Sequence, residues 1–216
     1  MPVRVLDLFC GAGGAGMGYH QAGFEVVGVD INPQPNYPFE FHQADAMTYP
    51  IEGFDLIHAS PPCQAYSQSV RSTDSKWVPT RGKLEPKLIG GIRERIKHQP
   101  YVIENVLGAV PYMDNPVMLC GLTLGLVIPR HRFFESNFNI EEFPHEGHKG
   151  YAKKYARENN IEYRDMTVTG KGRHAGTSDR WKSFMGIDWY MTQPEIVESL
   201  PPAYSKYIGE QFYEST

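Results

Sequence analysis

The fold class can be read from the stretch VRVLDLFCGAGGAGMGYHQAGFEVVGVD, residues 3–30. It begins with an apolar run typical of a buried strand, VRVLDLF, and continues through a glycine-rich turn into a helix-like segment. A second apolar run, FEVVGVD, predicts another strand that ends in Asp30. A strand, a glycine turn, a helix and a strand with a terminal acid are typical of the first half of a nucleotide-binding α/β unit.

The glycine turn and Asp30 indicate a ligand that carries adenosine. Glycine lets the backbone come close to a ligand, and a carboxylate accepts hydrogen bonds from both ribose hydroxyls. The run GAGGAGMG, residues 11–18, lacks clean G-x-G-x-x-G spacing, and the chain has no G-x-x-x-x-G-K-[ST] phosphate loop. S-adenosylmethionine therefore fits better than a dinucleotide, although a nicotinamide oxidoreductase stays open on the glycine turn. Asp45, in FEFHQADAM, is either an acceptor for the adenine amino group or a turn or helix-capping residue.

A cysteine follows the next predicted strand. FDLIHAS, residues 54–60, reads as a buried strand, so PPCQAYS begins at its carboxyl end, where open α/β sheets bind ligands. Two prolines restrict the backbone before Cys63. A further strand-like run, PYVIENV, brings Glu104 and Asn105 to the same edge. A thiol nucleophile beside a carboxylic acid suits attack on an electron-poor ring. The alternatives are that Cys63 is a small buried residue and that Glu104 forms an ion pair at the end of its strand.

Two arginines flank a histidine in VIPRHRFFESNF, residues 127–138. Residues two apart on a strand share a face, so we expect Arg130 and Arg132 to converge on one ligand. Arginine offers fixed, bidentate donors for a phosphate or a base carbonyl. Surface charge is the alternative for an isolated R-x-R.

Composition favours one globular domain. The chain has 216 residues, 41% of them hydrophobic, and three cysteines, which are too few for a disulfide framework and favour a reducing cytoplasm. No apolar run is long enough to cross a membrane, and the N-terminus lacks a signal-peptide pattern. The net charge is −4, yet residues 64–100 carry eight Lys/Arg against three Asp/Glu, and residues 149–182 carry nine against four. Two basic segments on an acidic body are suited to binding the phosphate backbone of a nucleic acid. The alternative is that both segments are solvated loops.

Taken together, these segments resemble the cytosine-5 DNA methyltransferases in order and spacing. DLFCGAGGAGMGYHQAGF, GVDIN and ADA are similar to the first three motifs of that family. SPPCQAYS is similar to its Pro-Cys-Gln motif, YVIENV to its Glu-Asn-Val motif and RHR to its R-x-R motif. TSDRWKSFMGID and LPPAYSKYIG resemble the ninth and tenth. The resemblance implies a doubly wound, largely parallel, Rossmann-like α/β sheet within a single methyltransferase domain, residues 1–216.

The resemblance implies covalent chemistry on a cytosine that has been flipped out of DNA. Cys63 would add to C6 of the base, which makes C5 able to attack the methyl group of S-adenosylmethionine. Glu104 would donate to ring N3, and Arg130 and Arg132 would bind the base carbonyl or a flanking phosphate. The implied cofactor-binding residues are Phe9, Gly11, Gly13, Asp30, Ile31, Asp45, Pro62 and Ser199. The implied contacts to double-stranded DNA are Gln64, Ser67, Arg71 and Arg81.

The chain departs from the family in the R-x-R motif, which has Ile128 and Pro129 in place of the usual upstream glutamine, in its insert and in its tenth motif. Residues 136–176 form a reduced insert where the family usually has a long target-recognition region, so a dimer, a helper protein or relaxed specificity would compensate. Such brevity resembles stand-alone methyltransferases of phages and mobile elements. The tenth motif has Glu198 and Ser199 where the family usually has an asparagine.

HEGHKG, residues 145–150, offers two histidines without cysteines or well-placed acids, so we expect no metal.

Besides the nicotinamide oxidoreductase, two other functions remain open from the sequence. One is methylation of cytosine in RNA, as in the tRNA-acting branch that shares these motifs. The other is a catalytically silent module that binds nucleic acid and cofactor, against which the joint presence of Cys63, Glu104, Arg130 and Arg132 argues.

Overall fold

The structure is a computed structural model that describes residues 2–66, 86–145, 147–162, 166, 168 and 178–215. The strands are β1 (Arg4–Leu8), β2 (Glu25–Asp30), β3 (Glu40–Gln43), β4 (Leu56–Ala59), β5 (Tyr101–Asn105), β6 (Val117–Cys120) and β7 (His131–Ser136). The helices are α1 (Gly14–Gln21), α2 (Ile89–Ile96), α3 (Tyr151–Glu158), α4 (Ser178–Met185), α5 (Gln193–Glu198) and α6 (Pro202–Ser215). No helix within the described ranges is both long and apolar enough to cross a membrane.

The strands form one sheet in the order β3-β2-β1-β4-β5-β7-β6. Strands β1 to β5 pair in parallel, whereas β7 lies antiparallel to both of its neighbours, β5 and β6. The chain winds outward from β1 in both directions, which confirms the predicted doubly wound, largely parallel α/β fold. The position where the strand order reverses lies between β1 and β4.

Both faces of the sheet are covered, as a parallel sheet requires. Side chains alternate along β1, so Val5 packs with α1 and α6, while Leu6 and Leu8 pack with α2 on the other face. The apolar face of α2 contributes three fully buried isoleucines at helical spacing, Ile89, Ile92 and Ile96. A smaller apolar cluster, which includes Trp181 and Met185, joins α4 and α5 to the glycine turn through Ala12.

The close approach of α1 and α6 depends on glycine. A Cβ atom on Gly14 would lie 2.1 Å from the carbonyl oxygen of Leu200, and one on Gly18 would lie 2.1 Å from that of Pro202. The Ser205 hydroxyl donates to the Ala15 carbonyl at 2.7 Å and joins the two helices. This contact holds the segment before α6 against the glycine turn, so residues 199–202 meet that turn at the carboxyl edge of the sheet.

The predicted insert, residues 136–176, is described in part. After β7 the chain passes along α6, where the Tyr207 hydroxyl donates to the Glu141 carbonyl, and then returns to the start of β7 before α3. The two histidines of HEGHKG are not isolated there, because Cys120 and His131 lie against His145 and His148. The expectation of no metal assumed that no cysteine was near, and that assumption was wrong because the pairing of β6 with β7 supplies one.

Candidate active site

A cavity of about 290 Å³, the edge cavity, lies at the carboxyl ends of β1, β2, β4 and β5. This is the edge at which open α/β sheets bind ligands. The predicted site residues that line the edge cavity are Phe9, Gly11, Asp30, Ile31, Pro62, Cys63, Gln64, Glu104, Arg132 and Ser199. Residues that are far apart in sequence thus meet because parallel strands end together.

One half of the edge cavity is built around Asp30. One carboxylate oxygen accepts from the backbone N–H of Asn32 at 2.9 Å, and the other accepts from the N–H of Gly11 at 3.2 Å. These bonds fix the carboxylate at the end of β2 and leave each oxygen with a lone pair for a ligand hydroxyl. Ile31 lies next to it with 66% of its surface exposed, an apolar platform in the cavity wall.

The glycine turn leaves room for a ligand. Phe9 and Gly11 both have left-handed backbone, with φ of 60° and 49°, and a Cβ atom added to Gly11 would meet nothing within 4 Å. A side chain at this position would therefore project into open space that a ligand can occupy. Gly13 does not line the edge cavity. Glycine is needed there because φ is 90° and a Cβ atom would lie 2.7 Å from Pro38.

Asp45 has a structural role in this fold. One carboxylate oxygen accepts from the backbone N–H of Met47 at 2.8 Å, and the Asp45 carbonyl accepts from the N–H groups of Thr48 and Tyr49. Asp45 is exposed and does not line the edge cavity. The contacts of Asp45 are those of a turn residue after β3, which is the second of the two roles that the sequence left open for it.

The Pro-Pro-Cys turn is held by β5. The Asn105 side-chain amide donates to the Pro61 carbonyl at 2.8 Å, while its oxygen accepts from the N–H of Val106 at 3.0 Å. Cys63 begins a short 3-10 turn and is partly buried in the wall of the edge cavity. Asn105 is itself buried, so it fixes the backbone on which the thiol sits, a positioning role that the sequence analysis did not assign.

Glu104 and Arg132 form a buried ion pair. Arg132 Nε lies 3.0 Å from Glu104 Oε1, and the two side chains are 15% and 10% exposed. Burial raises the pKa of Glu104, although the positive charge of Arg132 and a hydrogen bond from Ser60 oppose the shift. The raised pKa favours a protonated carboxyl group, which is what a proton donor needs.

A buried polar chain supports Glu104 from behind. His58 Nε2 lies 2.9 Å from the Ser60 hydroxyl, and His58 Nδ1 lies 3.0 Å from the Tyr19 hydroxyl. Burial lowers the pKa of His58 to about 3, so its ring is neutral. The chain Tyr19–His58–Ser60 thus connects the first helix to the carboxyl group of Glu104 without adding charge.

Arg130 does not converge with Arg132 on the edge cavity. Its guanidinium donates to the carbonyl oxygens of Val197 at 2.8 Å and of Ser199 and Val168 at 3.4 Å. Arg130 precedes β7 instead of lying on it, so strand alternation does not place it beside Arg132. Burial and the charge of Arg132 lower the pKa of Arg130 to about 9, which still leaves it charged at neutral pH. It holds the segment before α6 in place.

Two further acids lie in the cavity wall: Asp7, which no sequence pattern above pointed to, and Glu198, which was noted only as a departure in the tenth motif. Asp7 is fully buried in β1, where burial raises its pKa to about 7; one oxygen accepts from the Tyr37 hydroxyl at 3.2 Å. Its Oδ1 has no hydrogen-bond partner. Burial and the charge of Asp30 raise the pKa of Glu198, beside Ser199. An acid inside the apolar run VRVLDLF was the available signal for Asp7. The remaining predicted DNA contacts, Ser67, Arg71 and Arg81, lie outside the described residues.

Comparison with known proteins identifies the family. A family model described as C-5 cytosine-specific DNA methylase matches residues 3–115, which is more than half of the chain. The chain belongs to this family. The matched residues include the glycine turn, Asp30, Cys63 and Glu104, which line most of the edge cavity. Arg132 and Ser199 also line the cavity but lie beyond the match.

The curated relatives that the chain matches are Type II methyltransferases. The chain is 27% identical to the Type II methyltransferase M.AgeI of Thalassovita gelatinovora over 135 residues, 54% of this chain and 30% of that protein. It is 23% identical to the Type II methyltransferase M.AquIA of Picosynechococcus sp. over 175 residues, 66% of this chain and 69% of that protein. The chain thus spans less than a third of one relative and about two thirds of the other.

Solved methylase structures share the fold over nearly the whole chain. A DNA modification methyltransferase encoded within an E. coli prophage superposes with a TM-score of 0.60 at 15% identity, covering 99% of both chains. A Spodoptera frugiperda DNMT2 variant gives the same TM-score at 12% identity, covering 98% of this chain and 99% of the other. The fold therefore persists at low sequence identity.

Proposed function

We propose that this protein methylates C5 of cytosine in double-stranded DNA, with S-adenosylmethionine as the methyl donor. One observation carries the proposal: Cys63, the buried pair Glu104–Arg132 and the Asp30 carboxylate all line one cavity. A thiol, a proton donor and a ribose acceptor are what such a reaction needs from a protein. Family membership supports this assignment over a silent binding module.

The edge cavity fits the proposed methyl donor. The open space beside Gly11 accommodates a ligand at the glycine turn, and the buried, unpartnered oxygen of Asp7 gives that ligand a polar group to meet. Asp30 would accept from the ribose hydroxyls and Ile31 would lie against the adenine. Glu198 and Ser199 would face the amino-acid end in place of the asparagine that the family usually has there. S-adenosylmethionine supplies an electrophilic methyl group when it is bound.

The protein residues activate the base in a defined order. The Cys63 thiolate forms a bond to C6 while the Glu104 carboxyl group gives its proton to N3, so that the electron pair of the C5–C6 bond becomes available at C5. C5 would then bond to the methyl group that the bound donor supplies, with the methyl–sulfur bond breaking. A base takes the C5 proton, the electrons of the C5–H bond restore the C5–C6 double bond, the Cys63 thiolate leaves C6, and N3 returns its proton to Glu104. Arg132 keeps Glu104 oriented throughout.

The target base must leave the duplex to reach Cys63, at a cost of a few kcal/mol, on the order of one stacked and paired base. Gln64 follows the thiol and is exposed at the mouth of the edge cavity, where it would meet DNA. We propose Ser67, Arg71 and Arg81 as further DNA contacts because residues 64–100 form one of the basic segments of the chain.

Expression in a bacterial host without cytosine methylation tests the proposal, with bisulfite sequencing of the host DNA. We expect 5-methylcytosine at a defined set of sites with the wild-type protein and none with Cys63→Ala. The variant should still bind S-adenosylhomocysteine with wild-type affinity in calorimetry, which excludes misfolding. Methyl transfer to tRNA but not to DNA, or a methylation pattern kept by Cys63→Ala, would refute the proposal.

A further inference from the structure

Four side chains outside the edge cavity bring their metal-binding atoms together. Cys120 ends β6, His131 begins β7, and His145 and His148 lie in the turn before α3. The sulfur and the three Nε2 atoms, here called the Cys-His cluster, lie within 4.8 Å of one another. The cysteine sulfur is 3.1 Å from His148 Nε2.

Hydrogen bonding alone does not satisfy the three histidines. The Nε2 atoms lie 3.0 Å apart between His131 and His145, 2.6 Å between His145 and His148, and 3.2 Å between His148 and His131. Each Nε2 atom either carries a proton or presents a lone pair. With three atoms and two states, at least one pair must face lone pair to lone pair or proton to proton. A cation between them resolves this conflict, because all three lone pairs then point at the cation.

We propose that the Cys-His cluster binds one Zn²⁺ ion as a structural site. Bond lengths of about 2.0–2.1 Å to nitrogen and about 2.3 Å to sulfur place tetrahedral ligand atoms roughly 3.3–3.6 Å apart. The four separations given above, 2.6–3.2 Å, are shorter, so these side chains would move outward slightly to enclose the ion. One thiolate and three imidazoles suit zinc better than calcium or magnesium, which prefer oxygen. Four protein ligands close the coordination sphere, which is typical of a structural site.

The position of the Cys-His cluster explains what the ion would do. Cys120 and His131 are paired in the antiparallel ladder, so they present a preformed pair at the sheet edge. His145 and His148 belong to the reduced insert, which the ion would fasten to that edge. His131 also precedes Arg132, the partner of Glu104, so the same ion would fix the start of the strand that carries Arg132.

Metal content of the full chain tests this inference independently of methyl transfer. The protein should be purified without a histidine tag, dialysed against a weak chelator and analysed for zinc by mass spectrometry. We expect one zinc ion per chain in the wild type and loss of the ion in Cys120→Ser and His148→Ala. His98→Ala, an exposed histidine outside the Cys-His cluster, and Cys63→Ser should keep it.

Cobalt substitution of the wild-type protein keeps the test decisive if the ligand variants fail to fold. Co²⁺ should give the visible bands of a tetrahedral site together with a thiolate-to-cobalt charge-transfer band, and added Zn²⁺ should abolish both. Removing the ion should lower the melting temperature. A wild-type protein that binds neither ion, a cobalt spectrum without the thiolate band, or zinc retained by both ligand variants would overturn the inference.

Discussion

Replacing Glu104 with glutamine separates proton donation from structural support. Glutamine has nearly the same shape and can still accept from Arg132, but it cannot give a proton to ring N3. General acid catalysis contributes about 10²- to 10⁴-fold, which is about 3–5 kcal/mol at about 1.4 kcal/mol per factor of ten. We therefore expect the single-turnover rate of Glu104→Gln to fall by that factor, with little change in cofactor affinity.

The buried ion pair adds a second effect that must be measured separately. Arg132 is 15% exposed, so wherever Glu104 is ionised its replacement leaves a buried guanidinium without its counter-charge, at a cost of up to about 3–5 kcal/mol of folding stability. Where Glu104 is protonated it has no charge to lose, and the cost is smaller. Glu135 offers a matched control. It lies on β7, the strand that carries Arg132, is 1% exposed, and pairs with Arg93 of α2 at 2.6 Å outside the edge cavity. Glu135→Gln should lower the free energy of unfolding similarly while the folded protein keeps its methyl-transfer rate.

Rates and denaturation curves for both variants decide between the two effects. Single-turnover methyl transfer from labelled S-adenosylmethionine should be measured at a temperature where both variants are folded. The expected fall in the rate of Glu104→Gln is at least about 10²-fold. If the rate falls by less than about threefold, far below that expectation, Glu104 is not the proton donor. If Glu135→Gln is slowed as much as Glu104→Gln, the loss reflects the fold and the reasoning fails.

Three further predictions concern the cofactor, the helix contact and a buried acid. Asp30→Ala should weaken S-adenosylhomocysteine binding by roughly 10- to 100-fold, since a hydrogen bond to a charged group contributes about 1.5–3 kcal/mol; an unchanged dissociation constant in calorimetry would place the ribose elsewhere. Gly14→Ala should cost about 1–3 kcal/mol in urea denaturation, because its Cβ would meet the Leu200 carbonyl at 2.1 Å. Gly90→Ala, with nothing within 4 Å, should gain up to about 1 kcal/mol, and equal losses would contradict this account. Burial raises the pKa of Asp7 to about 7, so the folded protein keeps a proton that the unfolded chain releases near pH 4. The free energy of unfolding should thus fall as the pH rises from about 4 to about 7, and Asp7→Asn should flatten this slope; parallel curves would refute the shift.

The central part of the fold follows from local sequence patterns. The apolar runs before the glycine turn, after the helix that follows it, and before Pro61 predict β1, β2 and β4, and each is a buried strand in the structure. Parallel strands must end at one edge, so the meeting of Asp30, Cys63 and Glu104 in one cavity also follows from the pattern. Local patterns succeed here because hydrophobic periodicity and turn residues determine both the element and its direction.

The remainder depends on contacts that no local pattern records. Arg130 and Arg132 look equivalent in R-x-R, yet only Arg132 lies on β7 and lines the edge cavity, because the strand begins at His131. The Cys-His cluster joins Cys120 to histidines up to 28 residues away through the antiparallel pairing of β6 with β7. Sequence spacing alone shows neither the strand boundary nor this pairing.

A covalent trap tests the proposed bond between Cys63 and the base directly. An oligonucleotide that carries 5-fluorocytosine at the protein's own target site, found by the sequencing experiment, should be incubated with the protein and S-adenosylmethionine. Fluorine at C5 cannot be removed as a proton, so the bond between the thiol and C6 should persist. We expect a denaturation-resistant adduct that mass spectrometry maps to Cys63, and none with plain cytosine. Absence of the adduct at a verified target site, or its formation on another residue, would contradict the proposed role of Cys63.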